Sequence, residues 1–585
     1  MVELPSSYDM AERRMICLER KVRKHPELQA SLEKQIAEFQ TKGYANKATS
    51  QELEESDPHR TPRTTFGNIS YCEYRGVRYG KSTAGEGRFQ PPTLHEPNGR
   101  EDYLRQGNVC PQLDDINYPS VVLGDEDCLF LNVYSPMVID GGSYLHPVLV
   151  FIHGGSFTFG SGGYDVHGVD LLIENEIAVV SINYRLDVLG FLRYPRFNIT
   201  GNYGLLDQLT ALRWIHKNIQ EFGGDPNRIT LMGHSAGATS INYHMYSTHS
   251  KGLFQQAILS SGTFLMPHAY SYDPEKYADY YFGLLGISTR EQLLNRSLGD
   301  FFILNDTTRL LGTVFASMQF PCFIPTADGT FITDAPHRLI LEKPISNDIP
   351  LLVGTTSTEF ELLLDYVKGY FSWDLNFPNR NNEALLSYID TEIKVMAKHL
   401  KETGLVTEQS EFFRQLANYA NMDFPVQNFI EQISERTAPI FRYRFEFDGK
   451  FGWYKNVLYR GRLNVSPPGV VHGDDLGYIF TPYNVQEALR HPEEYRSEWN
   501  VHRGMVRSIS SFIKFGNPSW ADSTWKSYNS DKSKNIVMAI SNIFQSRKTN
   551  ESNYLHNFWK GIHDCYYYYQ CSSLQTINIE ADNVN

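Results

Sequence analysis

The sequence predicts an α/β protein built on a mostly parallel central sheet with helices on both faces. From about Thr64 onward, short apolar runs alternate with helical repeats, the pattern of strands joined by crossover helices. One such run passes straight into Gly233-His234-Ser235-Ala236-Gly237 and then into helix-compatible Ala238-Thr239-Ser240-Ile241. Another ends in His153-Gly154-Gly155, the start of a glycine-rich stretch that continues to Gly163.

Taken in chain order, residues 1–57 read differently from the rest. Met10 to Lys24 is charged and helix-prone. After Pro26, Leu28, Leu32, Ile36 and Phe39 repeat on one helical face, with Gly43 as a stop. Thr49 to Asp57 is polar and acidic, a linker by composition. The N-terminus has neither a basic region nor a continuous apolar run, so no secretory leader is expected there. In the body, 148–152, 177–182 and 229–232 are apolar runs too short for typical helices and rich in strand formers. Between the last two, Leu205, Leu206, Leu209, Leu212, Ile215, Ile219 and Phe222 recur at helical spacing until Gly223-Gly224. Later strands are expected at 351–353, 440–447 and 536–540. The expected organisation is a helical extension over 1–57, one catalytic body over 64–561 and a polar tail over 562–585.

Composition bounds the function. The 585 residues are 41% hydrophobic, 13% aromatic and 21% charged, too apolar for a disordered chain. A net charge of −13 argues against nucleic-acid partners, whose phosphates need clustered Lys and Arg. No apolar run reaches the length of about 18 residues that a membrane span needs. Seven cysteines are too few for a disulfide-built scaffold.

The Gly233–Gly237 pentapeptide is a G-x-S-x-G turn between a strand and a helix, the context that makes such a serine reactive. The flanking positions must be nearly side-chain-free, and the helix N-terminus favours a developing anion. Gly154, Gly155 and Ala236 are positioned to supply backbone N–H groups to an oxyanion, each donor being worth about 3–4 kcal/mol in such holes. A phosphate-cradling loop is the other reading, but no Lys-Ser/Thr pair follows it. A serine hydroxyl needs a histidine base oriented by an acid. Downstream, His472 in Gly469-Val470-Val471-His472-Gly473-Asp474-Asp475 occupies a loop after the 440–447 strand, although a lone loop histidine is also a common surface residue. Glu359 lies just past the 351–353 strand, with Asp365 as its rival. A base of this kind must be neutral, so activity is expected to fall below about pH 6.5, the ordinary imidazole value.

Together these motifs resemble the type-B carboxylesterase/cholinesterase-like family of α/β-hydrolases, from about Gly67 to Gly561. The resemblance rests on Gly124-Asp125-Glu126-Asp127-Cys128, His153-Gly154-Gly155, Asn183-Tyr184-Arg185, Gly201-Asn202-Tyr203-Gly204, Phe222-Gly223-Gly224-Asp225-Pro226 and Gly233–Gly237, with the segments at Glu359 and His472. It implies Ser235 as nucleophile, Glu359 as acid, His472 as general base, Gly154, Gly155 and Ala236 as the oxyanion hole, and Ser261 as a buried supporting serine. It further implies a Cys110–Cys128 disulfide, hence a secreted or lumenal location. The sequons at Asn68, Asn198, Asn295, Asn305, Asn464 and Asn550 agree with that compartment. No metal or cofactor is implied, and the expected partner is a small-molecule ester. A cholinesterase-like adhesion or binding protein that lost catalysis is the alternative; choline esters are disfavoured because the segment 110–128 contains no Trp.

Several features depart from the family pattern. No second disulfide pair is evident; Cys322 looks unpaired, and Cys565 and Cys571 could pair or remain free. His234 replaces a common Glu, as in certain insect esterases, and Arg78 replaces a usual proline. The opening strands at 64–73 look truncated, which would leave a sheet edge exposed. The N-terminal segment resembles a BEL/Pao-type retrotransposon polyprotein fragment at Leu4-Pro5, Leu18-Glu19-Arg20-Lys21, Pro26-Glu27-Leu28 and Gly43-Tyr44-Ala45. An ordinary helical extension is the other reading.

Overall fold

A computed structural model describes residues 63–568 except 66, 97–102, 104, 115–117, 138–143, 164–166, 303–322, 360–417, 436–437, 457–468, 489–490, 531–535 and 549–552. The retrotransposon-like segment, Asp365, Cys322, Cys571, Asn305, Asn464 and Asn550 lie outside the described residues.

The strands are β1 (Arg63–Thr64), β2 (Ser70–Arg78), β3 (Gln112–Asp114), β4 (Tyr118–Leu123), β5 (Phe130–Pro136), β6 (His146–Ile152), β7 (Ala178–Ile182), β8 (Gly224–His234), β9 (Gln256–Ser260), β10 (Leu351–Thr356), β11 (Ile440–Phe445), β12 (Ile536–Ile540) and β13 (Phe544–Lys548). Eleven form one sheet in the order β1-β2-β5-β7-β6-β8-β9-β10-β11-β12-β13, while β3 and β4 pair separately. From β7 to β12 every pairing is parallel; β1, β2, β5 and β13 join antiparallel at the two margins.

The central strands read as unbroken apolar runs because both sheet faces are covered. In β6, Val148, Val150 and Ile152 point into one core, while Leu149 and Phe151 point into the other. The helices Tyr203–Asn218 and Ala236–Tyr246 cover the first face, and Arg496–Phe515 covers the second. Each fully buried Val, Leu or Ile contributes about 1.5–3 kcal/mol. The leucine repeat ends as expected: the helix stops at Asn218, a 3-10 turn spans Ile219–Phe222, and β8 starts at Gly224.

The margins differ from the expectation of truncated opening strands. β2 runs for nine residues and pairs with β5 as far as Arg78. Before it, the described part of β1 is Arg63–Thr64, paired antiparallel with Ser70 and Tyr71 of β2. At the other edge β13 carries Arg547 and Lys548, charges that discourage edge-to-edge pairing. The helix Asn553–Tyr568 runs past residue 561 into the expected tail.

The Cys110–Cys128 disulfide is present. It closes a loop tied to the body by Arg78, paired with Asp127, and by Arg88, which donates from Nε to Glu126 at 2.7 Å. Arg78, the family's usual proline position, also stacks its guanidinium over Phe130 at 4.5 Å. Replacing both cysteines by alanine is expected to lower stability by about 3 kcal/mol, the chain-entropy value for a loop of this size. Denaturant unfolding of the double variant, beside the intact protein with and without reductant, measures this.

Candidate active site

The site forms where β8 ends. Ser235 follows His234 directly and precedes the helix Ala236–Tyr246, with φ 55 and ψ −120. Such a backbone costs about 1–3 kcal/mol in a non-glycine residue and persists only where surroundings enforce it. The surroundings are close. A Cβ on Gly237 would lie 2.1 Å from the Ile152 carbonyl oxygen, and one on Gly233 would lie 2.3 Å from the Gly237 carbonyl carbon. The turn is anchored sideways as well: the Ser235 N–H donates to the Ser260 carbonyl at 2.9 Å.

The glycine loop after β6 passes beside this turn. A Cβ on Gly154 would fall 3.0 Å from the Ser235 Cβ and 2.7 Å from the His234 carbonyl oxygen. Ala236 is the first residue of the helix. Gly155 has φ 106, and its carbonyl accepts from the Thr158 and Phe159 N–H groups.

Glu359 and His472, 113 positions apart, meet at 2.6 Å between Oε2 and Nδ1. The other carboxylate oxygen accepts from Ser261 Oγ and from the Thr356 N–H, each at 2.6 Å. The His472 N–H donates to the Glu359 carbonyl at 3.2 Å, so backbone and side chain hold the two residues together. Burial alone raises the Glu359 pKa, but the bonds and charge of His472, with Ser261 and the Thr356 N–H, outweigh it and hold the carboxyl below its usual range. An ionised Glu359 only accepts, so Nδ1 of His472 donates to it, and in the neutral ring Nε2 is left as the acceptor. The His472 ring rests against the His234 ring, centroids 4.5 Å apart, which brings it beside the residue that precedes Ser235.

Two further residues support this corner. Asp475 is fully buried, and its Oδ2 accepts from Tyr443 OH at 2.7 Å and from Ser260 Oγ at 2.8 Å. Ser260 thus links the histidine loop to the carbonyl that holds the Ser235 N–H. Asp474 accepts from the Lys455 and Val471 N–H groups, and burial lifts its carboxyl to about 7. The sequence placed both aspartates in a motif but held no signal for the partners of Asp475, Ser260 and Tyr443, which lie on β9 and β11. Beside the turn lies a cavity of about 200 Å³, bordered by Gly154 and His234 and by His153, His167 and Trp453.

Of the sequons, Asn68, Asn198 and Asn295 are exposed. Among the described residues, one group of three side chains is spaced closely enough to hold a metal, and it is the exposed set His491, Glu493 and Glu494, far along the chain from the Ser235 turn. No described helix is long and apolar enough to cross a membrane.

The raised Asp474 carboxyl has a consequence for stability. Between the ordinary carboxylate value of about 4 and its folded value of about 7, the folded chain holds a proton that the unfolded chain releases. Asp474 therefore destabilises the fold increasingly as pH rises through that window. Asp474→Asn removes the titration, so the melting temperature of the variant minus that of the parent is expected to climb from pH 4 to pH 7. Thermal melts across that range check the sign.

Comparison with known proteins places this geometry. The sequence profile described as the carboxylesterase family matches residues 61–559. A juvenile hormone esterase of Heliothis virescens is 30% identical over 518 residues, covering 81% of this chain and 87% of the relative. A para-nitrobenzyl esterase of Bacillus subtilis is 29% identical over 507 residues, covering 82% and 95%. The solved juvenile hormone esterase of Manduca sexta, with OTFP covalently attached, superposes at a TM-score of 0.72 with 26% identity, over 86% of this chain and 97% of that one. A sheet of this order, a glycine-clasped serine and a match across most of its length make the chain a member of the carboxylesterase family, with the α/β-hydrolase fold.

Proposed function

We propose that this chain hydrolyses carboxylic esters through an acyl-enzyme on Ser235, with His472 as general base and Glu359 as the orienting acid. The observation that carries the reading is the 2.6 Å bond from His472 to a carboxylate buried and held ionised by Ser261 and the Thr356 N–H. In the first step the Ser235 oxygen attacks the ester carbonyl while His472 Nε2 takes the hydroxyl proton. Negative charge grows on the carbonyl oxygen, where the N–H groups of Gly154, Gly155 and Ala236 stabilise it. The C–O bond breaks as His472 returns the proton to the leaving alcohol. Water then attacks the acyl-enzyme by the same route, releasing the acid and restoring Ser235. These steps call for no metal or organic cofactor.

The covalent OTFP adduct of the Manduca sexta relative supports chemistry that passes through a covalent intermediate. Two features support an oxidising, secretory compartment: the Cys110–Cys128 disulfide and the exposed sequons Asn68, Asn198 and Asn295. The proposed substrates are small esters with apolar arms.

Hydrolysis of p-nitrophenyl butyrate tests the reading directly. Ser235→Ala is expected to lower kcat by about 10⁴-fold or more, and Glu359→Gln by about 10⁴-fold, with melting temperatures showing that both variants fold. Equal rates for the parent and Ser235→Ala would overturn the proposal and favour a binding protein on the same fold.

A further inference from the structure

We infer that Gln112, carried on the disulfide loop, is a positioning residue for the backbone N–H groups of Gly154 and Gly155. The inference rests on the proposed ester hydrolysis at Ser235 and adds a side chain outside the triad on which oxyanion stabilisation depends.

The Gln112 amide grips one residue of the glycine loop through both of its backbone groups. Its Oε1 accepts from the Gly160 N–H at 2.8 Å, and its Nε2 donates to the Gly160 carbonyl at 3.0 Å. Nε2 also donates to the Cys110 carbonyl at 3.0 Å. A backbone N–H only donates and a carbonyl only accepts, so these partners allow one orientation of the amide. Gln112 is buried, and two residues before it Cys110 is bonded to Cys128. The backbone that carries the amide is thereby tied to the segment that enters β5.

Gly160 in turn abuts the two residues proposed to donate. The Gly154 carbonyl and the Gly155 N–H share one rigid peptide plane. A Cβ on Gly160 would lie 2.7 Å from the Gly154 carbonyl oxygen and 2.4 Å from His153 Nδ1, which is itself 2.8 Å from that oxygen. The Phe159 carbonyl and the Gly160 N–H share another plane. Its oxygen would lie 2.0 Å from a Cβ on Gly155, and its N–H is the one that Gln112 accepts. A turn of the Phe159–Gly160 plane therefore moves the group that bears on Gly155.

The ends of the glycine loop are held by the sheet. Its entry follows β6 directly, and beyond Gly160 the Gly162 carbonyl accepts from Ser181 Oγ at 2.6 Å and Asn132 Nδ2 at 3.0 Å, on β7 and β5. Gln112 grips the span between them. Losing its amide leaves the sheet intact but frees the Phe159–Gly160 plane, so the Gly155 N–H is aimed less well. Oxyanion donors act on charge that exists only in the transition state, so the cost falls on kcat rather than KM.

Two substitutions in the full chain test this. Gln112→Met keeps the side-chain length and removes these three bonds. Gln112→Glu keeps the acceptor for Gly160 but sets a carboxylate oxygen against two carbonyls. For p-nitrophenyl butyrate, each is expected to lower kcat about tenfold or more, with KM within about threefold of the parent. A pair of ketones separates aim from packing. With decyl trifluoromethyl ketone, Ser235 Oγ bonds to the carbonyl carbon, the C=O π pair becomes an oxyanion and the serine proton passes to His472. Decyl methyl ketone binds without that addition. Inhibition by the trifluoromethyl ketone is expected to weaken by the same factor as kcat/KM, and inhibition by the methyl ketone to stay within about threefold. Melting temperatures show which variants fold. Parent-like kcat in a folded variant, or equal weakening of both ketones, overturns the inference. So does failure of both variants to fold, since the cost is placed on aim and not on folding. A parent with no Ser235-dependent turnover would instead overturn the proposed hydrolysis itself.

Discussion

The turn from β8 into the helix Ala236–Tyr246 closes only because two backbones approach within a distance that no side chain allows. Gly237 sits against the Ile152 carbonyl, and Gly233 sits against Gly237 itself. That approach forces Ser235 into a positive-φ conformation at the helix N-terminus. β6 and β8 are parallel neighbours in the sheet, so the end of β6 delivers the glycine loop to the same place. Fixing this corner fixes where Ser235 and the glycine loop stand against each other, and the rest of the site is arranged around it.

The second half of the site reaches the corner through polar contacts between distant segments. β9 contributes Ser260, whose carbonyl holds the Ser235 N–H and whose hydroxyl bonds Asp475 on the histidine loop. The adjacent Ser261 hydroxyl bonds Glu359 past the end of β10. One pair of serines therefore registers the turn, the acid and the histidine loop against each other. The electrostatics are divided sharply: Glu359 is surrounded by donors and stays ionised, whereas at His153, His167 and His234 burial dominates and lowers the imidazole pKa.

Much of this was legible in the chain. The runs at 148–152 and 536–540 became β6 and β12 nearly residue for residue, because strands buried on both faces are continuously apolar. The leucine repeat became the helix Tyr203–Asn218 for the matching reason of period. β5 and β9 were not anticipated; Asn132, Ser135, Gln256 and Ser260 break their apolar patterns, since those polar residues work in tertiary hydrogen bonds or at a strand end. The apparent truncation of the first strands came from an atypical text around 64–73, yet β2 pairs with β5 from Tyr71 to Arg78, with one register shift between Tyr74 and Val77.

By itself the sequence determined the local chemistry: a serine between glycines after a strand, a glycine loop after another, a histidine and a glutamate in loops that follow later strands. These depend on spacing and on residue type within a few positions, where sterics act directly. Only the tertiary structure decided which of those groups touch. Glu359 rather than any other acid faces His472 because β10 and β11 are adjacent and in register, and because two donors stabilise its charge there. The histidine-lined cavity belongs to the same class of fact. Its lining comes from five separate segments between residues 109 and 482, and no spacing along the chain announces that they close around one space.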